Sequence, residues 1–331
     1  MYKTWAGRGE VKIYFSWANA CHDALGQQKL VVVINMDETS IAGAYPSKLG
    51  TVVSSARWEG VNTNALAEHI TLRDTHLHIT YCAFVCSNPE MQPELPQILV
   101  VNRTKWTTRM SDYADATLPD NVMVWAEQTG WVTQALFLEI LGALCDRLRP
   151  HQARFHFVLV VDAARSHINA RIASRARANG ITMLIVPSKL TWMLQTLDVH
   201  FFANFKNLLV RKLTLARARS PNGVLQPEVW LRQVFDCIAW LQQQDASIEF
   251  DRDGLCGNQN NLRIVHKQHL FSAELIATIG RQLPTADQLA FSLGVKNVPY
   301  HEALTTPLAA RARGEYVRRP RITFGLPVRR R

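Results

Sequence analysis

Two short runs of β-branched and other apolar residues constrain this chain more than any other feature. Residues 30–35 (LVVVIN) and 155–161 (FHFVLVV) are apolar at nearly every position. Neither alternates polar with apolar, so each reads as a strand buried on both faces of its sheet. Each run leads into an aspartate, Asp37 in NMDET and Asp162 in VVDAARSH. An ionised carboxylate at the end of a buried strand is costly unless something positive meets it there. A third, Asp198, lies in LTWMLQTLDVHFFANFK, where a helical pattern begins. Three carboxylates, each expected at an element boundary, suggest one shared cation site.

The segments around these runs extend the pattern. Residues 11–28 read as a helix, and residues 40–62, with Gly43, Pro46, Gly50 and Gly60, as a loop or irregular hairpin. Residues 76–87 and 97–102 read as strands. The connection between them is short and punctuated by Pro89, Pro93 and Pro96, which favours antiparallel neighbours. Residues 121–127 are a further short apolar run. Gly130-Trp131 precedes an amphipathic helix with Leu136, Phe137, Ile140, Leu141 and Leu144 at helical spacing. Residues 166–179 read as a helix stopped by Gly180, and 181–186 as another buried strand. From Asp198 to about Arg219 runs a basic helix, and residues 228–244 form an amphipathic one. Residues 245–262 are loop-like, and DRDGL at 251–255 reads as a turn.

The expected architecture is α/β, a mixed sheet flanked by helices with an additional helical C-terminal region. Four regions follow: a helical lead-in over 1–29, a core over 30–219, a helical extension over 220–283, and a basic, poorly packed tail over 284–331.

With 47% apolar residues in 331, the chain can bury a large core. Its 37 lysines and arginines against 27 aspartates and glutamates leave a net charge of +10, which points to a polyanionic partner and above all to nucleic acid. The six cysteines form no CxxC pair and have no histidine at zinc spacing, so they read as buried free thiols of a reducing compartment. No secretory pattern opens the chain, and no apolar run approaches the roughly 20 residues of a membrane span. A soluble intracellular protein is expected.

Carboxylates at two strand ends meet if their strands are neighbours, and a third from a following helix closes the cluster. Such oxygen donors suit Mg²⁺ or Mn²⁺. Two ions about 4 Å apart can activate a water or a 3′-hydroxyl and stabilise the leaving oxygen of a phosphoryl transfer. A strand-end aspartate alone also occurs in many other α/β proteins, including nucleotide-binding ones. Here no glycine-rich phosphate loop accompanies it.

The local sequences resemble the catalytic core of pogo-like DDE transposases, a DDE superfamily endonuclease domain of the mariner-like superfamily. Asn35, Asp37, Glu38 and Thr39 match its first block. Asp162 and His167 match the second, and Pro187, Thr191, Gln195, Leu197, Asp198, Phe205 and Lys206 the third. Gly130-Trp131 and Phe137 resemble an intervening helical segment, and the whole likeness covers about residues 12–215. Asp198 follows Asp162 by 36 positions, a spacing typical of variants whose third acid is aspartate. Ala163 and Thr196 depart from the family's usual Asn and Pro.

The resemblance implies a ribonuclease-H-like fold, two Mg²⁺ or Mn²⁺ ions held by Asp37, Asp162 and Asp198, and cleavage and joining of DNA strands. Glu38 reads as a neighbour turned to the other side of the strand. His167 is expected either to contact phosphate or to cap its helix. Lys206 and Arg211 are expected either to contact the DNA backbone or to form a solvated helix face. Family members carry paired helix-turn-helix modules before the core, and the 36 residues ahead of Asp37 are too few for both. The chain is accordingly read as a fragment, a decayed copy or a product recruited to another role, and a domesticated or decayed, non-catalytic DNA-binding protein on the same fold is the alternative. A homodimer, a nuclear location and import through the arginine-rich end (Arg311 to Arg331) complete the expectations.

Overall fold

The structure, a computed structural model, describes residues 8–27, 29–42, 78–188, 190–220, 225–257, 259 and 272–306. The loop expected within 40–62 lies almost wholly outside them, as does the arginine-rich end.

Among the described residues, six strands form one mixed sheet in the order β4-β3-β2-β1-β5-β6. β1 (Leu30–Ala42) is central. It pairs antiparallel with β2 (His78–Cys86) and parallel with β5 (Phe155–Val161). β2 pairs antiparallel with β3 (Gln97–Asn102), as its proline-rich connection predicts. β6 (Ile181–Ile185) extends the sheet in parallel beyond β5. At the other edge, the apolar run at 121–127 becomes β4 (Val122–Glu127), parallel to β3. A parallel neighbour needs a crossover, and α2 (Thr108–Thr117) supplies it. Both opening runs are buried as their composition requires: Val32, Val33 and Ile34, and Phe157 to Val161, are all nearly inaccessible. The sheet with its flanking helices is the ribonuclease-H-like mixed fold expected from the sequence.

The remaining helices cover this sheet or extend it. They are α1 (Arg8–Gly26), α3 (Gln134–Leu148), α4 (Ala170–Ala178), α5 (Thr191–Leu194), α6 (Phe202–Arg219), α7 (Pro227–Gln242) and α8 (Ser247–Arg252). α9 (Ala273–Ala277), α10 (Ala286–Leu293) and α11 (His301–Thr305) follow. α7 lies on α6 and α2, α1 on β1 and β6, and α10 on α1.

Five sequence expectations change here. Residues 245–262, expected as loop, contain the helix α8 (Ser247–Arg252). β1 does not stop near Asp37 but continues to Ala42, because β2 pairs with it as far as His78. The helix expected from Ser166 starts only at Ala170, with the Asn169 side chain accepting from Ile172 N–H as its cap. The chain before it is a loop stitched to Asp162. Residues 284–306 are not a loose tail. α10 opens with a capping box between Thr285 and Gln288 and buries Leu289 and Leu293, while Leu304 of α11 is also buried. Of the six cysteines, all free, Cys256 is exposed rather than buried.

Candidate active site

The parallel pairing of β1 with β5 ends at Asn35 opposite Val160. Continued by two residues, that register brings Asp37 level with Asp162, the residue at which the chain leaves β5. Asp37 itself stays in the sheet, opposite Ala83 of β2, and is only 8% exposed. Its Oδ1 accepts from the Glu38 backbone N–H at 2.8 Å.

Asn35 joins the third acid to this point. Its Nδ2 donates to the Val160 carbonyl (3.1 Å) on β5 and its Oδ1 accepts from Leu197 N–H (2.8 Å). Gln195 Nε2 donates to the Met36 carbonyl (3.3 Å). The chain just before Asp198 thus hangs from β1 through two fully buried amide side chains. Asp198 then falls in a π-helical turn, Leu197–Phe201, that leads directly into α6. Such widened turns are often found at functional sites. His200 of the same turn pairs with buried Asp253 at 2.9 Å, so the turn is held from its other side as well.

The second acid is the most restrained. Asp162 Oδ1 accepts from Ala164 N–H (3.0 Å) and from His167 Nδ1 (2.5 Å). The other ring nitrogen of His167 reaches Glu38 Oε1 at 2.8 Å. Carboxylates only accept, so both imidazole nitrogens donate when these partners are ionised. The ring packs against Phe137 of α3 with centroids 4.5 Å apart, and Gln134 Nε2 donates to the Arg165 carbonyl, which ties the loop to α3.

The electrostatics follow from this placement. Burial pushes the Asp37 carboxyl well above the usual range, and the charges of Asp198, Glu38 and Asp162 push the same way. Asp198 is solvent-accessible, yet the protein behind it raises its carboxyl; Lys206 opposes that rise and Asp162 adds to it. Burial also acts to raise Asp162, but the hydrogen bond and charge of His167, with the Ala164 N–H, hold it below the usual value. Burial acts to lower His167, and its bonds to Asp162 and Glu38 overcome this and raise it to about 10. Asp37, Asp162 and Asp198 therefore neighbour one another closely enough for every pair to interact. Among the described residues, however, no three His, Cys, Asp or Glu side chains stand as a ready-made metal-holding array. The donor chemistry suits a hard divalent cation, and so does the upward push on Asp37, which a positive charge would relieve.

Two expected roles change. His167 is 1% exposed with both nitrogens engaged, so it has no donor to offer a DNA phosphate. Nor does it cap α4, a role that Asn169 fills. Glu38 does sit one position from Asp37 along the strand, turned to the other face, but it is bound to His167 rather than being a bystander. Lys206 and Arg211 lie exposed on α6, Lys206 close enough to Asp198 to lower its carboxyl. The part played by Asn35 is new, and one sign of it was visible: an amide is out of place in LVVVIN unless the core pairs it.

The fold is a mixed sheet flanked by helices, with Asp37 of β1 and Asp162 at the end of its neighbour β5 level with each other. A family model described as DDE superfamily endonuclease matches residues 79–249, slightly over half of the 331-residue chain, and the chain belongs to that family. The matched span includes Asp162 and Asp198, while Asp37 precedes it. Among solved structures, similarity extends to Mos1 transposase in a paired-end complex with the left transposon end, at 14% identity and a TM-score of 0.36. The similarity covers 70% of this chain and 62% of that one, so this chain spans less than two thirds of that transposase chain. No curated protein matches the sequence. No helix among the described residues is long and apolar enough to cross a membrane.

Proposed function

We propose that this protein is a divalent-metal-dependent DNA endonuclease of the transposase kind, cutting and joining strands, with Asp37, Asp162 and Asp198 as the residues that hold the ions. The observations that support this reading are the pairwise electrostatic influence among acids from β1, the end of β5 and the turn before α6, and the chain's place in the DDE endonuclease family. Mg²⁺ or Mn²⁺, when bound, supplies activation of a water or 3′-hydroxyl and stabilisation of the leaving oxygen. The chain's own part is positional. Asn35 and Gln195 hang the third acid from the strand that carries the first. The exposed cations of α6 offer contacts to the DNA backbone beside the acids. A homodimer and a nuclear location belong to the same reading.

The observation favouring a non-catalytic DNA-binding protein is the absence of a closed ligand array among the described residues. A nicking assay on supercoiled plasmid separates the two. Conversion to open circles in Mg²⁺ or Mn²⁺, and none in EDTA, is expected. Salt-sensitive DNA binding with no nicking in either metal would establish the binding protein instead. In either case the α6 contacts are testable: Lys206→Ala should weaken binding evenly across sequences and reduce the slope of log affinity against log salt by about 1. An unchanged slope would remove Lys206 from the interface.

A further inference from the structure

We infer that Glu38 and His167 are a positioning pair that aims Asp162, so that β1 places both of the first two acids, one directly and one through an imidazole. This rests on the metal-site reading above. Asp37 and Glu38 are consecutive residues of one strand and so leave it on opposite faces. Asp37 faces the site. Glu38, on the other face, reaches His167 Nε2 at 2.8 Å, and His167 Nδ1 reaches Asp162 Oδ1 at 2.5 Å. The imidazole is almost completely buried and lies on the Phe137 ring, so it has no freedom to turn away.

The arrangement leaves Asp162 a defined task. Its Oδ1 is taken by His167 and Ala164 N–H, and its Oδ2 has no hydrogen-bond partner among the described residues. A carboxylate held by one oxygen presents the other in a fixed direction. The spacing between first and second acids is then set by a strand, a single ring and one loop. This also explains why an acidic residue follows Asp37: Glu38 supplies the fixed end of the chain of contacts. Partners that orient a metal-binding carboxylate in this way typically contribute ten- to hundredfold to metal affinity.

The test is Mn²⁺ titration of the whole protein, with free Mn²⁺ read by electron paramagnetic resonance and with no DNA present. Wild type should show a binding midpoint. Glu38→Ala should raise it by about ten- to hundredfold. Glu38→Gln keeps an oxygen that accepts from Nε2–H and should stay within roughly threefold of wild type. Should Glu38→Ala fail to fold, His167→Phe carries the test, because it keeps a ring against Phe137 and removes both hydrogen bonds; it should match the loss expected of Ala. A wild-type midpoint in Glu38→Ala or His167→Phe overturns the inference and leaves the metal site standing. Equal loss in the Ala and Gln variants also overturns it, since charge rather than aim would then be what matters. Absence of Mn²⁺ binding in wild type overturns the metal-site reading itself, and the inference with it.

Discussion

Asp162→Asn is expected to lower metal-dependent nicking by about a thousandfold or more while leaving the fold and DNA binding in place. The substitution is nearly isosteric. An asparagine oxygen can still accept from Ala164 N–H and from His167 Nδ1, the two bonds that shape the loop after β5. What disappears is the anionic charge and one donor oxygen for a hard cation. The electrostatic stabilisation a bound ion gives a phosphoryl transfer is several kcal/mol, and about 1.4 kcal/mol is a tenfold change in rate. DNA affinity should hold or rise slightly, because the variant removes a negative charge from a surface that meets phosphates. Plasmid nicking rates and fluorescence anisotropy on the same preparations check both halves. Nicking within tenfold of wild type would remove Asp162 from the ion-holding set.

Much of this site could be read along the chain because its elements are locally encoded. The segments leading to Asp37 and Asp162 are short apolar runs, and those runs are buried in the core. The burial of Phe202, Phe205 and Leu209 on α6 agrees with helical spacing in the same way. Other features depend on partners far away in the chain. Asn35 accepts from a backbone group 162 positions on, and His167 meets a carboxylate 129 positions back. No local pattern specifies such bonds, and a histidine in a polar loop resembles a surface residue until its neighbours are known. The delayed start of α4 has the same origin, since Asp162 draws the intervening residues into a loop that a periodic reading continues as helix. The packing of α10 was better announced. Threonine followed three residues later by glutamine, just before an apolar stretch, is a helix-start signal, and the neighbouring prolines and the arginine-rich end obscured it.

The second large effect is a reversal of stability order. Asp37→Asn should be more stable than wild type without metal and less stable with it. Asp37 is 8% exposed, and its charge is opposed first by burial and then by Asp198, Glu38 and Asp162. Asparagine keeps an oxygen for the Glu38 N–H and removes the like-charge repulsion. The expected gain is about 1–2 kcal/mol in metal-free buffer, within the range of single stabilising substitutions. The sign with pH follows from the upward shift of the Asp37 carboxyl. Its penalty is fully present above the raised folded-state value and fades as pH falls through that value toward the unfolded one near 4. The advantage of Asn over Asp should therefore shrink on acidification. Metal acts in the opposite direction. A ligand at a hundred times its dissociation constant stabilises the form that binds it by about 2.7 kcal/mol, and the variant, having lost one of the three acids, forgoes most of that. Urea melts of both proteins, with Mn²⁺ and with EDTA, should show the two curves exchange places. Curves that keep the same order in both buffers would mean that Asp37 does not hold the ion.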